Sequence, residues 1–144
     1  MTKYLLGLFC ALFLFACTSD DEDSGKIAID VDGLSFSFSA RMEPWNFFDY
    51  ENRFGRPCVG YMSEHGFQFT YLGTGVIGAP EYYKSATDFA AADTYSALPG
   101  YETNLEVDNN KLIKGTFSGD FQNPEGAIKH IEGRFTIRKS KIDD

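Results

Sequence analysis

Alternating apolar and polar positions run through most of the chain and predict β-strands. The segment from residue 34 to residue 40 alternates strictly, and so does the segment from residue 27 to residue 31. Asp32-Gly33 between them is a strong signal for a tight hairpin turn. The residues that share one face of the second segment are Leu34, Phe36, Phe38 and Ala40. The folded part of the chain is therefore predicted to open with a β-hairpin.

Five later segments continue the strand pattern. They span residues 57–63, 66–72, 101–107, 111–121 and 128–138. A turn at 123–126 joins the last two, whose expected inward residues are Ile113, Phe117, Phe121, Ile131, Phe135 and Ile137. About seven short strands with regular turn signals predict a mainly β fold, either an antiparallel β-sandwich or a small barrel.

One segment has helical rather than alternating spacing. Pro80 is suited to the first turn of a helix, because its missing N–H has no helical partner there. The residues that follow it at helical spacing are Tyr82, Ala86, Phe89 and Ala90. The sequence therefore predicts one short helix at 80–92.

The beginning of the chain has the layout of a targeting segment. Lys3 precedes an apolar run from residue 4 to residue 16, which is shorter than the ~20 residues that a helix needs to cross a bilayer. We expect residues 1–16 to be a signal peptide, 17–25 to be a tether that begins at Cys17, and 26–144 to be a single β domain. Ordinary secretion and an uncut anchor are the alternatives.

Three short motifs carry a resemblance to a known family. Leu14-Phe15-Ala16-Cys17 resembles the lipobox of bacterial lipoproteins, in which the cysteine is acylated and becomes the first mature residue. The acidic run at 20–23 resembles the surface-export signal of Bacteroidota lipoproteins, although an acidic linker that holds the domain off an anionic membrane needs no receptor. Gly-x-Phe recurs at 115–117 and 133–135. Together these features resemble small Bacteroidota surface lipoproteins of unknown function.

The resemblance implies a place in the cell and a fold, and it lends no catalytic residues. It implies a compact β domain on the bacterial outer membrane, anchored by lipid on Cys17 and facing the cell exterior. Composition agrees with a folded domain that does not bind nucleic acid. The net charge is −8, whereas phosphates attract clustered cations, and aromatic residues form 16% of the chain, which is too many for wholesale disorder.

The glycine-rich motif, the cysteine and the histidines of the chain are each better explained by a structural role than by a catalytic or cofactor-binding one. Residues 73–78 match the GxGxxG dinucleotide fingerprint, but no βαβ unit surrounds them, so we expect a glycine-rich loop. Cys58 is the one cysteine after Cys17, and we expect it to be a buried small hydrophobe. His65 and His130 lack the spacing of a metal site or a catalytic triad. We therefore expect no enzymatic activity, no metal and no cofactor.

One segment, residues 43–57, departs from ordinary strand or turn composition. It mixes aromatic rings with Asn, Asp, Glu and Arg side chains between two prolines. Rings beside hydrogen-bonding groups are typical of surfaces that stack sugars or grip peptides. The candidate ligand-binding residues are Trp45, Phe47, Phe48, Tyr50 and Phe54, and Tyr82, Tyr83, Tyr95 and Tyr101 are candidates to extend their surface. Alternatively, this loop closes one end of the barrel with its own rings.

The sequence thus leaves two functions open. The first is a non-enzymatic binding module that uses the 43–57 loop for a glycan or peptide. The second is a structural or assembly component that pairs a strand edge with an envelope protein. The cationic run at 138–141 indicates a terminal strand edge that is guarded by charge.

Overall fold

Residues 25–62, 65–73, 75–84 and 93–139 are described in a computed structural model, and they form ten β-strands. The predicted signal peptide, the tether up to residue 24 and Cys17 lie outside the described residues. The strands are β1 (Gly25–Val31), β2 (Leu34–Met42), β3 (Phe47–Phe48), β4 (Phe54–Tyr61), β5 (Gly66–Tyr71), β6 (Ile77–Tyr83), β7 (Thr94–Ala97), β8 (Glu102–Asp108), β9 (Leu112–Gln122) and β10 (Ile128–Arg138).

Eight of these strands close into an antiparallel barrel. Their order is β10-β1-β2-β4-β5-β6-β7-β9, and pairing of β9 with β10 completes the ring. The two remaining strands lie outside it, with β3 paired to β4 and β8 paired to β9. The predicted mainly β fold is therefore confirmed, and between the sandwich and the barrel the structure has the barrel.

Both predicted tight turns are present. Asp32 and Gly33 have φ values of 50° and 86°, which suits the two-residue turns that match strand twist. The Gly33 N–H donates to Asp30 Oδ1 over 2.8 Å. In the later turn the Gly126 N–H donates to the Asn123 carbonyl over 3.0 Å. These local signals therefore set the register of the first and last hairpins.

Side chains fill the interior of the barrel. The six predicted inward residues of β9 and β10 are all buried. Across the interior, the Phe67 ring stacks on Phe117 with centroids 4.5 Å apart, and the Phe69 ring meets Phe135 at 4.7 Å. Leu34 shares a strand face with the buried Phe38, but it is 66% exposed because it lies at the tip of the first hairpin.

The repeated Gly-x-Phe pattern has a structural role between β9 and β10. Gly115 pairs with Phe135, and Phe117 pairs with Gly133, so each phenylalanine lies opposite a glycine. A Cβ atom on Gly133 would lie 2.7 Å from the Phe117 ring and would also press on the Ala28 carbonyl. Each glycine therefore leaves the space that the phenylalanine of the other strand occupies.

The predicted helix at 80–92 is wrong in its first turn. Residues 77–83 form β6, which pairs with β5 on one side and β7 on the other. Ala79 and Pro80 lie opposite a single residue of β5, and this bulge accommodates a proline that has no N–H to donate. The positive φ of Ala79, 49°, marks the same irregularity. Residues 85–92 of the predicted helix lie outside the described residues.

The expectation of a guarded terminal edge at 138–141 is also wrong. Strand β10 pairs with β1 on one side and β9 on the other, so barrel closure leaves the last described strand without a free edge. The open edges in the described part of the chain instead belong to the two outside strands, to β8, which pairs with β9 alone, and to the two-residue β3, which pairs with β4 alone. Residues 140 and 141 lie outside the described residues.

Gly133→Ala should destabilise the barrel, because the added methyl group competes with the Phe117 ring and the Ala28 carbonyl for one space. We expect the free energy of unfolding to fall by about 1–3 kcal/mol, the usual cost of overpacking, in urea denaturation followed by circular dichroism. Ser37→Ala, on the exposed face of β2, is the matched control and should change stability by less than about 1 kcal/mol. Equal stability of the Gly133→Ala variant and the wild type would contradict the packing described here.

Candidate aromatic binding site

The candidate loop forms a short hairpin that extends from the barrel. Phe47 pairs with Gly55, and Phe48 pairs with Phe54. Asp49 closes the turn between them, because its Oδ1 accepts the N–H groups of residues 51 and 53 over 2.9 Å each. We call residues 45–54 the aromatic hairpin. Asp49 is buried and organises the loop from within, so the turn has a defined shape.

Polar groups attach the tip of the aromatic hairpin to the barrel. Glu51 Oε2 accepts the Ala79 N–H over 3.1 Å and the Tyr101 hydroxyl over 3.3 Å. The Arg53 guanidinium forms an ion pair with Glu51 and donates to the Tyr101 oxygen over 3.1 Å. We call Glu51, Arg53 and Tyr101 the polar latch. It ties the hairpin to β6 and to the residue that precedes β8.

The latch forms where the barrel wall needs a hydrogen-bond acceptor. The Ala79 N–H lies in the bulge of β6, and β7 pairs only with the later residues of β6. Because Ala79 is buried, its N–H needs another acceptor, since a buried N–H without one is costly. Gly78 has no side chain, and the Arg53 guanidinium lies in the space that a Cβ atom would fill. Thr70 is buried beside Gly55. The aromatic hairpin therefore covers part of the outer face of β5 and β6.

Most rings of the aromatic hairpin remain in solvent. Trp45 is 52% exposed, Phe48 64%, Tyr50 48% and Phe54 58%, whereas Phe47 is half-buried. The Phe48 and Phe54 rings lie side by side with centroids 5.0 Å apart. The Trp45 ring meets the edge of Phe47 at 5.9 Å. In the alternative, these rings would close the end of the barrel. The structure does not have that arrangement, because the polar latch attaches the hairpin to the barrel and most of the rings are exposed.

Tyr50 contributes both to attachment and to the exposed surface. Its hydroxyl donates to the Ala97 carbonyl at the end of β7 over 3.4 Å. Burial of the hydroxyl, with smaller contributions from Tyr101 and nearby carboxylates, raises the pKa of Tyr50. The phenol therefore stays neutral and keeps the hydrogen that it donates, while about half of the residue remains accessible.

The tyrosines that were expected to extend this surface do not do so. Tyr82, Tyr83 and Tyr95 are buried, and the Tyr82 and Tyr95 rings pack with centroids 6.0 Å apart. Tyr101 is half-buried as part of the polar latch. The expectation of a larger tyrosine surface is therefore wrong, and the exposed rings of this site are those of the aromatic hairpin.

The residues considered for chemistry occupy separate places. Cys58 is fully buried, and burial raises the pKa of its thiol, so it is the inert hydrophobe that the sequence indicates. His65 Nδ1 lies 2.8 Å from the Tyr82 hydroxyl, and its ring centroid is 4.2 Å from that of Phe36. His130 Nδ1 lies 2.9 Å from Asp120 Oδ1, and this hydrogen bond raises the pKa of the exposed histidine.

The glycine-rich motif at 73–78 lacks the geometry of a dinucleotide site. Gly73 and Gly75 have positive φ values in the turn between β5 and β6, and Gly78 lies within β6. The fingerprint requires the N-terminus of a helix after its third glycine, whereas a strand occupies that position here. Among the described residues, no group of three or more His, Cys, Asp and Glu side chains is placed to hold a metal ion.

No family model, curated protein or solved structure matches this chain. In the part of the chain that the structure describes, no helix has both the length and the apolar character needed to cross a membrane. The aromatic hairpin itself therefore supplies the strongest indication of function.

Proposed function

We propose that this protein is a lipid-anchored, non-enzymatic binding module of the bacterial outer-membrane surface, which holds an extracellular glycan or peptide on the aromatic hairpin. The observation that carries the proposal is that four rings stay in solvent on a hairpin whose backbone is fixed by Asp49 and the polar latch. Exposed rings in a folded domain favour a binding surface over a packing role.

The physical gain from a ligand on these rings is substantial. Covering an exposed phenylalanine completely contributes about 1.5–3 kcal/mol, and Phe48 and Phe54 present two adjacent rings. Because the latch already fixes the hairpin, little conformational entropy is lost on binding. Asn46 and Asn52 are exposed beside the rings and offer amide hydrogen bonds. Apolar faces next to amides suit a sugar ring, so a glycan is the preferred ligand and a peptide is the second.

The proposed anchor is compatible with binding close to the cell surface. Seven residues lie between Cys17 and Gly25, and the eight steps along a fully extended chain reach about 28 Å at most. Gly25 pairs with Ala40, and β2 leads from there towards the aromatic hairpin. Gly25, the first described residue, and the start of the aromatic hairpin therefore lie at the same end of the barrel.

Assembly through a strand edge is the second candidate function. It has a specific location at β8, whose edge away from β9 has no strand partner in the described residues. The exposed acids of this strand, Glu102 and Glu106, oppose pairing with another acidic edge. A strand that pairs with this edge would therefore need cationic side chains. Fewer partners meet that requirement than meet the requirement of the aromatic hairpin, so binding at the hairpin is the preferred function.

The anchor is tested by mass spectrometry of the full-length protein expressed in a bacterium with a lipoprotein-processing pathway. We expect cleavage between Ala16 and Cys17 and an acylated cysteine at the new N-terminus. The acyl chain would then hold the protein on the membrane by inserting in the bilayer. Cys17→Ala is the control and should leave the precursor uncut. An unacylated mature N-terminus in the wild type would contradict the proposed anchoring.

The binding site is tested by fluorescence titration, because Trp45 is the one tryptophan of the chain. A panel of neutral oligosaccharides should include a ligand that shifts the emission of Trp45 to shorter wavelength. Changing Phe48 and Phe54 together to alanine should then weaken binding at least tenfold, since two stacking surfaces are lost.

Leu34→Ala is the matched control, because it removes an exposed apolar side chain from the tip of the first hairpin. This variant should bind like the wild type. Peptides and phosphatidylethanolamine vesicles form two further arms of the titration. Binding to vesicles alone, or equal affinity of the double variant and the wild type, would contradict the proposed site.

A further inference from the structure

A concave surface lies on the outer face of the barrel, and none of the rings of the aromatic hairpin line it. Outward side chains of β2, β1, β10, β9 and β8 line a groove of about 1480 Å³. We call this surface the outer groove. Its lining combines polar side chains with apolar groups such as Ala28 and Phe36, and the opposite faces of β1, β9 and β10 pack into the core. The groove is therefore separate from the apolar interior.

Strand register gathers three cations at one part of the outer groove. Lys26 of β1 and Lys114 of β9 both pair with Thr136 of β10, one on each side. Arg134 precedes Thr136 by two residues, so it faces the same side of β10. With neighbouring strands about 4.8 Å apart, the backbones of Lys26 and Lys114 are about 10 Å from each other. The three positions therefore surround one patch of the sheet.

These cations have no carboxylate within ion-pair distance in the described part of the chain, whereas several other cations of the barrel do. Arg41, Lys129 and Lys139 each pair with an acid. Glu106 lines the same groove and lies in the bulge of β8 opposite Lys114, yet it forms no ion pair with that lysine. Like charges at this spacing repel one another, and an anion placed between them relieves that repulsion.

The side chains around the cations indicate the rest of the ligand. Thr116 pairs with Arg134, and Thr136 lies between the two lysines, so hydroxyl groups alternate with the charges. Asn104 adds an amide from β8 opposite Thr116. Hydroxyl and amide groups exchange hydrogen bonds with sugar hydroxyls, and guanidinium binds carboxylate, sulfate or phosphate in a bidentate manner.

Acidic residues at the other end of the outer groove give it a direction. Asp30 pairs with Glu132, and Glu132 pairs with Ser118 on the next strand. These carboxylates disfavour a second anionic group at their end. A ligand therefore fits best with its anionic group at the cations and its neutral hydroxyls towards the acids.

We propose that the outer groove is a second binding site, which takes an acidic saccharide with its anionic group among Lys26, Lys114 and Arg134. The site goes beyond the proposed function of the aromatic hairpin, because its ligand is charged and no ring of that hairpin lines it. A chain with a net charge of −8 would then attract an anion by a local cluster of cations rather than by its overall field.

The experiment is isothermal titration of the chain from residue 18 onward, with trigalacturonate as the carboxylate probe and maltotriose as the neutral one. Sulfated and phosphorylated glucose oligomers form two further arms, which distinguish the kind of anionic group. We expect at least one anionic probe to bind more tightly than maltotriose. Its affinity should fall as salt is raised from 50 to 300 mM, because exposed charges are screened.

Variants locate the binding. Arg134→Gln should weaken the anionic probe at least tenfold, and Arg134→Lys should weaken it less, because the charge remains while the bidentate geometry is lost. Glu106→Gln should strengthen binding, since it removes a carboxylate from the groove. Lys84→Gln and Glu125→Gln, which change exposed charges outside the groove, are the matched controls and should have no effect.

Several results would overturn the proposal. They are failure of all three anionic probes to bind, equal affinity for maltotriose and the anionic probes, or wild-type affinity of the Arg134→Gln variant while circular dichroism shows it folded. The double Phe48, Phe54 alanine variant should bind the anionic probe as the wild type does. Loss of that binding would place the site on the aromatic hairpin and would also overturn the proposal.

The same measurements are repeated with the four acids at 20–23 changed to their amides, because these residues precede Lys26 closely in sequence. The amide variant removes competition from the tether. We expect it to bind the anionic probe at least as tightly as the wild type, with the same effect of Arg134→Gln. Loss of binding on this change would overturn the proposal, since the ligand would then depend on the tether rather than on the groove.

Discussion

The contact on which the rest of the structure depends is the reciprocal packing of glycine and phenylalanine between β9 and β10. Phe117 lies over Gly133, and Phe135 lies over Gly115. Each of the two strands that close the barrel therefore supplies one glycine, which leaves space, and one phenylalanine, which fills the space on the other strand. The same two rings meet Phe67 and Phe69 across the interior. Because side chains fill this interior, the surfaces that are open to a ligand lie on the outside of the wall.

The aromatic hairpin shows how such a filled barrel acquires an exposed apolar surface. The usual arrangement has rings packed against the core and charges in water, whereas here the charged side chains of the polar latch contact the barrel and the rings face solvent. The latch also satisfies the buried N–H in the bulge of β6. One set of hydrogen bonds therefore completes the wall and fixes the proposed binding surface.

Sequence alone predicts the parts of this fold that local chemistry determines. Asp32-Gly33 specifies its turn by backbone conformation, and alternation specifies the long strands β9 and β10. Prediction from the sequence fails at β6, because Pro80 suits both the start of a helix and a β-bulge. Which of the two forms depends on pairing with the strands β5 and β7. The short strands β3 and β7 carry too few residues for a period to be visible.

The candidate site divides in the same way. The composition of residues 43–57 marks the rings, because so many aromatic and hydrogen-bonding side chains together are unusual. Nothing local indicates the latch, since Glu51 meets partners 28 and 50 residues further along the chain. The outer groove is likewise hidden from sequence analysis, because its cations come from β1, β9 and β10 and meet only through the register of the closed sheet.

The central claim, that the hairpin holds its rings in solvent, is tested most directly by acrylamide quenching of Trp45. With about half of this residue exposed, the account predicts a quenching constant in the native protein of about half the value in the urea-unfolded chain, or more. Strong protection of the native indole, with emission shifted to short wavelength in the absence of ligand, would contradict it.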